Sequence, residues 1–100
     1  MSMSNRLITC DKDLTVLTIL NKSGNPTFLS YNDITHIRIG YTTQSRLFFK
    51  KTTEKIEIMP KGSKKPIILT KPMDWEHFEQ YKQEISRFAR ENKIDFLTFG

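Results

Sequence analysis

The chain has 100 residues, a net charge of +5, 37% hydrophobic residues and eleven aromatics, which suits one folded domain and argues against intrinsic disorder. No apolar run approaches the roughly 18–20 residues of a membrane-spanning helix, and the first ten residues lack a charged stretch followed by a long apolar one. The lone Cys10 forms neither an intramolecular disulfide nor a cysteine metal cluster, so a cytoplasmic chain is expected.

The first seventy residues alternate short β-like runs with turns. "RLITC" (6–10) ends at the polar connection Asp11-Lys12-Asp13, and the β-branched "LTVLTIL" (14–20) ends at "NKSGNP" (21–26), rich in turn formers. "TFLSY" (27–31) precedes Asn32-Asp33 and then "ITHIRIGY" (34–41), where Ile37, Ile39 and Tyr41 share one face and His36 and Arg38 the other. "SRLFFKK" (45–51) is joined by Thr52-Thr53 to "EKIEIM" (54–59), in which Ile56 and Ile58 point inward and Lys55 and Glu57 outward. Pro60-Lys61-Gly62-Ser63 reads as a type I turn with Pro at its second position, and "KPIILT" (65–70) as the seventh strand. Seven strands at this spacing indicate an antiparallel barrel or sandwich.

At Pro72 the period changes from two to 3.6. Asp74 suits an N-cap, Trp75, Phe78, Tyr81, Ile85, Phe88 and Ala89 form one apolar stripe, and Asn92 suits a C-terminal stop, which predicts a helix over 74–92. Glu76 and Glu79 near its start and Arg87, Arg90 and Lys93 near its end complement the helix dipole. The tail "IDFLTFG" (94–100) is too apolar to leave in water, so it is expected to cover its own sheet or to join a second copy as a homodimer.

The basic charge is local. Residues 46–71 hold eight cations and two anions, a net of +6 in a chain whose total is +5. Within this stretch Arg46, Lys50, Lys51, Lys61, Lys64 and Lys65 are the candidate contacts for an anionic surface. Lysines also blunt exposed sheet edges, which is the plainer explanation of the same residues. With Thr52-Thr53 as a link, the two groups of lysines fall at opposite ends of strand 54–59, about 17–20 Å apart. One phosphate cannot bridge them, so weak charge-driven adhesion is expected in place of a phosphate pocket.

Seven strands followed by one long amphipathic C-terminal helix is the order of the pleckstrin-homology-like fold. "YNDITHIRIG" (31–40) resembles the strand-three to strand-four junction of bacterial PH-like domains, "KIEIMPKGSKKPIIL" (55–69) resembles their late hairpin, and the helix with Trp75 near its start resembles their capping helix. The resemblance spans about residues 5–92. It implies a mainly β fold, a bent antiparallel sheet or partly open barrel capped by the helix. It also implies a non-catalytic binding module without a cofactor, whose loops, open end and helix-side groove take lipids, peptides or partner domains. Phosphoinositide-binding members carry several basic residues on the first hairpin loop. Here that loop is Asp11-Lys12-Asp13, or "NKSGNP" with Lys22 alone if the first strand is 14–20, so that lipid site is not expected.

Catalytic chemistry finds no constellation. His36 and His77 lack a nucleophile or acid partner in the sequence, two His and one Cys match no metal-ligand spacing, and Lys61-Gly62-Ser63-Lys64 lacks the second glycine and following helix of a phosphate loop. Asn21-Lys22-Ser23 matches a glycosylation acceptor only by chance in a cytoplasmic chain. The expected function is protein–protein or weak membrane-surface contact. The alternative is single-stranded nucleic-acid binding through the basic and aromatic segment 46–65, where one of Phe48 and Phe49 faces outward to stack on bases.

Overall fold

The computed structural model of the chain describes residues 6–20, 24–45 and 50–98. Strands β1 (Ile8–Cys10), β2 (Val16–Leu20) and β3 (Pro26–Ser30) form one antiparallel sheet. Strands β4 (Ile34–Ser45), β5 (Lys50–Pro60), β6 (Ile67–Thr70) and β7 (Asp95–Thr98) form a second sheet in the order β6-β5-β4-β7, and helix α1 spans Phe78–Glu91. The protein is mainly β, with two sheets that do not close into a barrel.

Alternation along the strands sorts the side chains. In the first sheet Ile8 faces Ile19 and Leu17 faces Leu29, and all four are buried. In the second, Ile37 and Ile39 lie opposite Ile58 and Ile56, Leu69 adds beside Ile56, and again all are buried. Arg38, Glu57 and Ile68 form a row on the opposite face. Local polar bonds set the connections. The Asp11 carboxylate accepts from the backbone N–H groups of Thr15 (2.6 Å) and Val16 (3.0 Å) and from the Thr15 hydroxyl (2.6 Å), closing a turn in which Leu14 adopts φ 56°. Between β3 and β4, Ser30 and Asp33 exchange side-chain-to-backbone bonds around the short 3-10 turn Tyr31–Asp33.

Three expectations are corrected. Thr52-Thr53 is no link, because β5 runs unbroken from Lys50 to Pro60 and Thr53 is buried within it. Both threonines are β-branched strand formers, and the connection between β4 and β5 falls at 46–49, outside the described residues. The helix starts at Phe78, not at Asp74. Asp74 Oδ1 accepts from His77 N–H at 3.3 Å in the turn that precedes it, and Trp75 on that turn is 56% exposed instead of buried. Third, the turn after β5 places Pro60 first, with Ser63 N–H donating to Pro60 O at 3.3 Å. Gly62 then sits third at φ 76°, the conformation type II demands of that position.

Phe78, Tyr81, Ile85, Phe88 and Ala89 of α1 are fully buried in one apolar cluster with both sheets. The helix ends in a Schellman arrangement: Ile94 N–H donates to Ala89 O and Lys93 N–H to Arg90 O, with Lys93 at φ 53°. This reversal returns the chain to β4, where β7 adds in parallel with Phe96 beside Ile37. Residues 95–98 of the apolar tail thus pair with the chain's own sheet, with Leu97 still exposed. Replacing Phe78 or Ile85 by Ala is expected to cost about 2–5 kcal/mol, measured as a lower denaturant midpoint at unchanged slope.

Candidate functional site

The basic residues singled out by the sequence do not converge. Arg46 lies outside the described residues, and Lys50 and Lys51 are described only as backbone at the start of β5. Lys61, Lys64 and Lys65 lie at the other end of that eleven-residue strand, roughly 34 Å away at strand rise, farther than the pattern predicted. These three are exposed, and no ion pair engages their side chains among the described residues. Their turn is well fixed. Lys61 N–H donates to Asp33 O at 2.8 Å, while the Ser63 hydroxyl donates to Lys65 O (2.8 Å) and accepts from Lys65 N–H (3.2 Å).

The residues between that turn and α1 build the feature the sequence left unread. Sheet order leaves one side of β6 without a neighbouring strand, and an apolar cleft of about 220 Å³ opens there, lined by Ile19, Leu20, Ile67, Ile68, Leu69 and Met73. Consecutive strand residues point to opposite faces. A cleft touched by Ile67, Ile68 and Leu69 together therefore runs along the strand's edge, not over a face. Ile68 and Met73 remain 43% and 42% exposed there, and Thr27 of β3 stands on the far wall.

A larger recess of about 500 Å³ runs along the polar flank of α1 past Ile39 and Thr98. Two of its charged lining residues, Lys82 and Glu79, are already paired. Lys82 Nζ donates to Glu54 Oε2 at 2.5 Å and to Glu79 Oε1 at 3.3 Å, and Lys71 pairs with the same two carboxylates. At this flank the edge of β4 from His36 to Ile39 is covered by β7, so the helix-side position that the family resemblance implies for an added strand is partly filled by the chain itself.

The histidines meet structural partners. His77 Nδ1 lies 3.1 Å from Asp74 Oδ2, and that oxygen also accepts the Tyr81 hydroxyl at 2.5 Å. Leu7 N–H donates to the Tyr81 oxygen at 2.8 Å. Burial and the Asp74 bond push the Tyr81 phenol up to about 12, so it keeps its proton. Burial, then the nearby Asp11 and Glu84 carboxylates, push the Cys10 thiol up to about 11, which disfavours the reactive thiolate. His36 stands on the other face of β4, opposite Met59 and Asp95. Among the described residues no group of three or more His, Cys, Asp or Glu side chains is placed to hold a metal ion, and no helix is long and apolar enough to cross a membrane. Comparison of the chain with protein-family models, curated proteins and solved structures finds no match to any of them.

Two outcomes are expected. The Lys82 ammonium bonded to Glu54, with Lys71 beside it, holds the Glu54 carboxyl below its ordinary value of 4.5. A carboxyl so lowered stabilises the fold above its unfolded value, and that stability is lost as pH falls through the folded one. Glu54→Gln should therefore flatten the stability loss measured by denaturant titration over roughly pH 5 to 3, while costing at most about 1 kcal/mol at neutral pH. Vesicles of anionic lipid should co-sediment the protein weakly, less at physiological salt than at low salt, and less again for Lys61→Glu/Lys64→Glu/Lys65→Glu. Salt-resistant binding to a single phosphoinositide, abolished by the triple change, would refute mere charge-driven adhesion.

Proposed function

We propose that the protein is a non-catalytic, cytoplasmic binding module of the pleckstrin-homology-like kind that works by contact with another protein. The observation that supports this most is the unsealed side of the fold: a free apolar strand edge bordering a cleft, with exposed Ile68 and Met73 beside it. Exposed apolar surface of this sort marks interaction sites, and a free edge offers backbone donors and acceptors to an incoming strand. The sheets capped by a C-terminal helix are in keeping with the family resemblance. The nucleic-acid alternative rests on Phe48 and Phe49, which lie outside the described residues; the described basic turn, Lys61 to Lys65, adds no aromatic residue on which a base could stack.

The test exposes the full chain to three probes at low and physiological salt: labelled oligo-dT, anionic vesicles and a displayed library of random dodecapeptides. Peptides should be enriched at both salt concentrations, while binding to the oligonucleotide and the vesicles fades with salt. Oligonucleotide binding that survives physiological salt, with no peptide enriched, would replace this function with nucleic-acid recognition.

A further inference from the structure

We propose that the free edge of β6 is a strand-addition site for an extended protein segment whose apolar core is flanked by acidic residues. The proposal deepens the protein-binding function above by naming the site and the chemistry of its partner.

Four strands lie at sheet edges, and three carry ordinary protection against pairing. β1 is only three residues long, β3 opens with Pro26, and β7 opens with Asp95. β6 is also short, four residues between Lys65-Pro66 and Lys71-Pro72, but within the strand Ile67-Ile68-Leu69-Thr70 is β-branched or aliphatic throughout and without a charge. Its edge is where the cleft opens, so a strand paired to it would cover Ile68 and direct alternate side chains toward Leu20 and Met73. Backbone pairing gives such a site affinity with little regard to sequence. Charge supplies the selection.

Lys64 and Lys65 stand before β6 with Pro66 between, Lys61 stands on the same turn, and all three are exposed and free of ion pairs among the described residues. Lys71 follows the strand's other end but is already paired with Glu54 and Glu79. An acidic flank on an incoming strand therefore meets its cations at the Lys61–Lys65 turn. A second copy of this chain brings no such flank, because the residues beside its own β6 are Lys64 and Lys65 on one side and Lys71 on the other.

The probe is a labelled peptide Glu-Glu-Val-Thr-Val-Thr-Val-Glu-Glu, with its Lys-for-Glu counterpart as control, titrated into the full chain by anisotropy and by amide chemical shifts. The acidic peptide should bind in preference to the basic one and shift amides at 67–70 and 19–20. Lys61→Glu/Lys64→Glu/Lys65→Glu should reverse that preference. Ile68→Lys should weaken the acidic peptide at least tenfold despite the added cation, and melting curves should show that these exposed substitutions leave the fold intact. Equal binding of both peptides, shifts confined to Ile39 and the 79–91 flank, or indifference to Ile68→Lys would each overturn the assignment. So would a concentration-dependent dimer that Ile68→Lys dissolves, which would make a second copy the occupant. If the displayed library yields binders but the acidic strand is not preferred, the site fails and the protein-binding function stands. If the library yields none and the acidic strand does not bind, both fail.

Discussion

Everything in this fold depends on an apolar contact standing in for hydrogen bonds. Among the described residues no strand of the first sheet pairs with a strand of the second, so the ladders that stabilise each sheet do nothing to join them. The union falls to α1, whose five buried side chains enter a cluster that already holds Ile8 and Leu17 from one sheet and Ile37 and Ile56 from the other. Each such side chain is worth on the order of 1.5–3 kcal/mol when fully buried, against a total stability of about 5–15 kcal/mol for a small domain. Tyr81 adds direction to this contact. Its hydroxyl accepts from Leu7 just before β1 and donates to Asp74 just before α1, which fixes the helix along its length as well as against the core.

The ion pairs at the other flank play a smaller part. Glu54 from β5 meets Lys82 and Lys71, and Glu79 shares both cations. Such part-exposed groups are worth little individually. Their effect is to align α1 with the second sheet on the side away from Tyr81, so that burial and polar pairing set the same helix position from two directions.

Much of the architecture was legible because periodicity survives in the final fold. Ile37, Ile39, Ile56 and Ile58 announced an inward face, and Phe78, Tyr81, Ile85, Phe88 and Ala89 announced a helix; all are buried. The errors came from residues whose types fit two states. Trp75 stands three before Phe78 and continues the helical spacing, but Asp74 bonds to His77 and makes that stretch a turn. Thr52 and Thr53 are polar enough to suggest a break and β-branched enough to continue a strand, and cross-strand pairing with Thr43 and Thr42 favours the strand. The site was harder still. "PIILT" reads as a strand, but its status as an edge comes from strand order across the sheet. Likewise, Ile19 and Leu20 border the same cleft as Ile67 across nearly fifty positions, a juxtaposition that no local pattern records.

The lysines around β6 answer two demands with one arrangement. A free apolar edge is a hazard in any chain, because identical copies offer it to one another. Burying the edge would remove the hazard and also the docking site. Charge placed beside the strand leaves its outer edge without a strand partner among the described residues, Thr70 N–H being engaged by Met73 Sδ, yet acts differently on different arrivals. A copy brings cations to cations, a neutral strand gains nothing from them, and an acidic-flanked strand is drawn in. The clustering of Lys61, Lys64 and Lys65 on a turn held by Asp33 and Ser63 strengthens that discrimination, since a fixed turn keeps the charges beside the strand's entrance. The same lysines that make a poor phosphate pocket, exposed and far from the cations at the start of β5, are thus well placed to decide which strand completes the sheet.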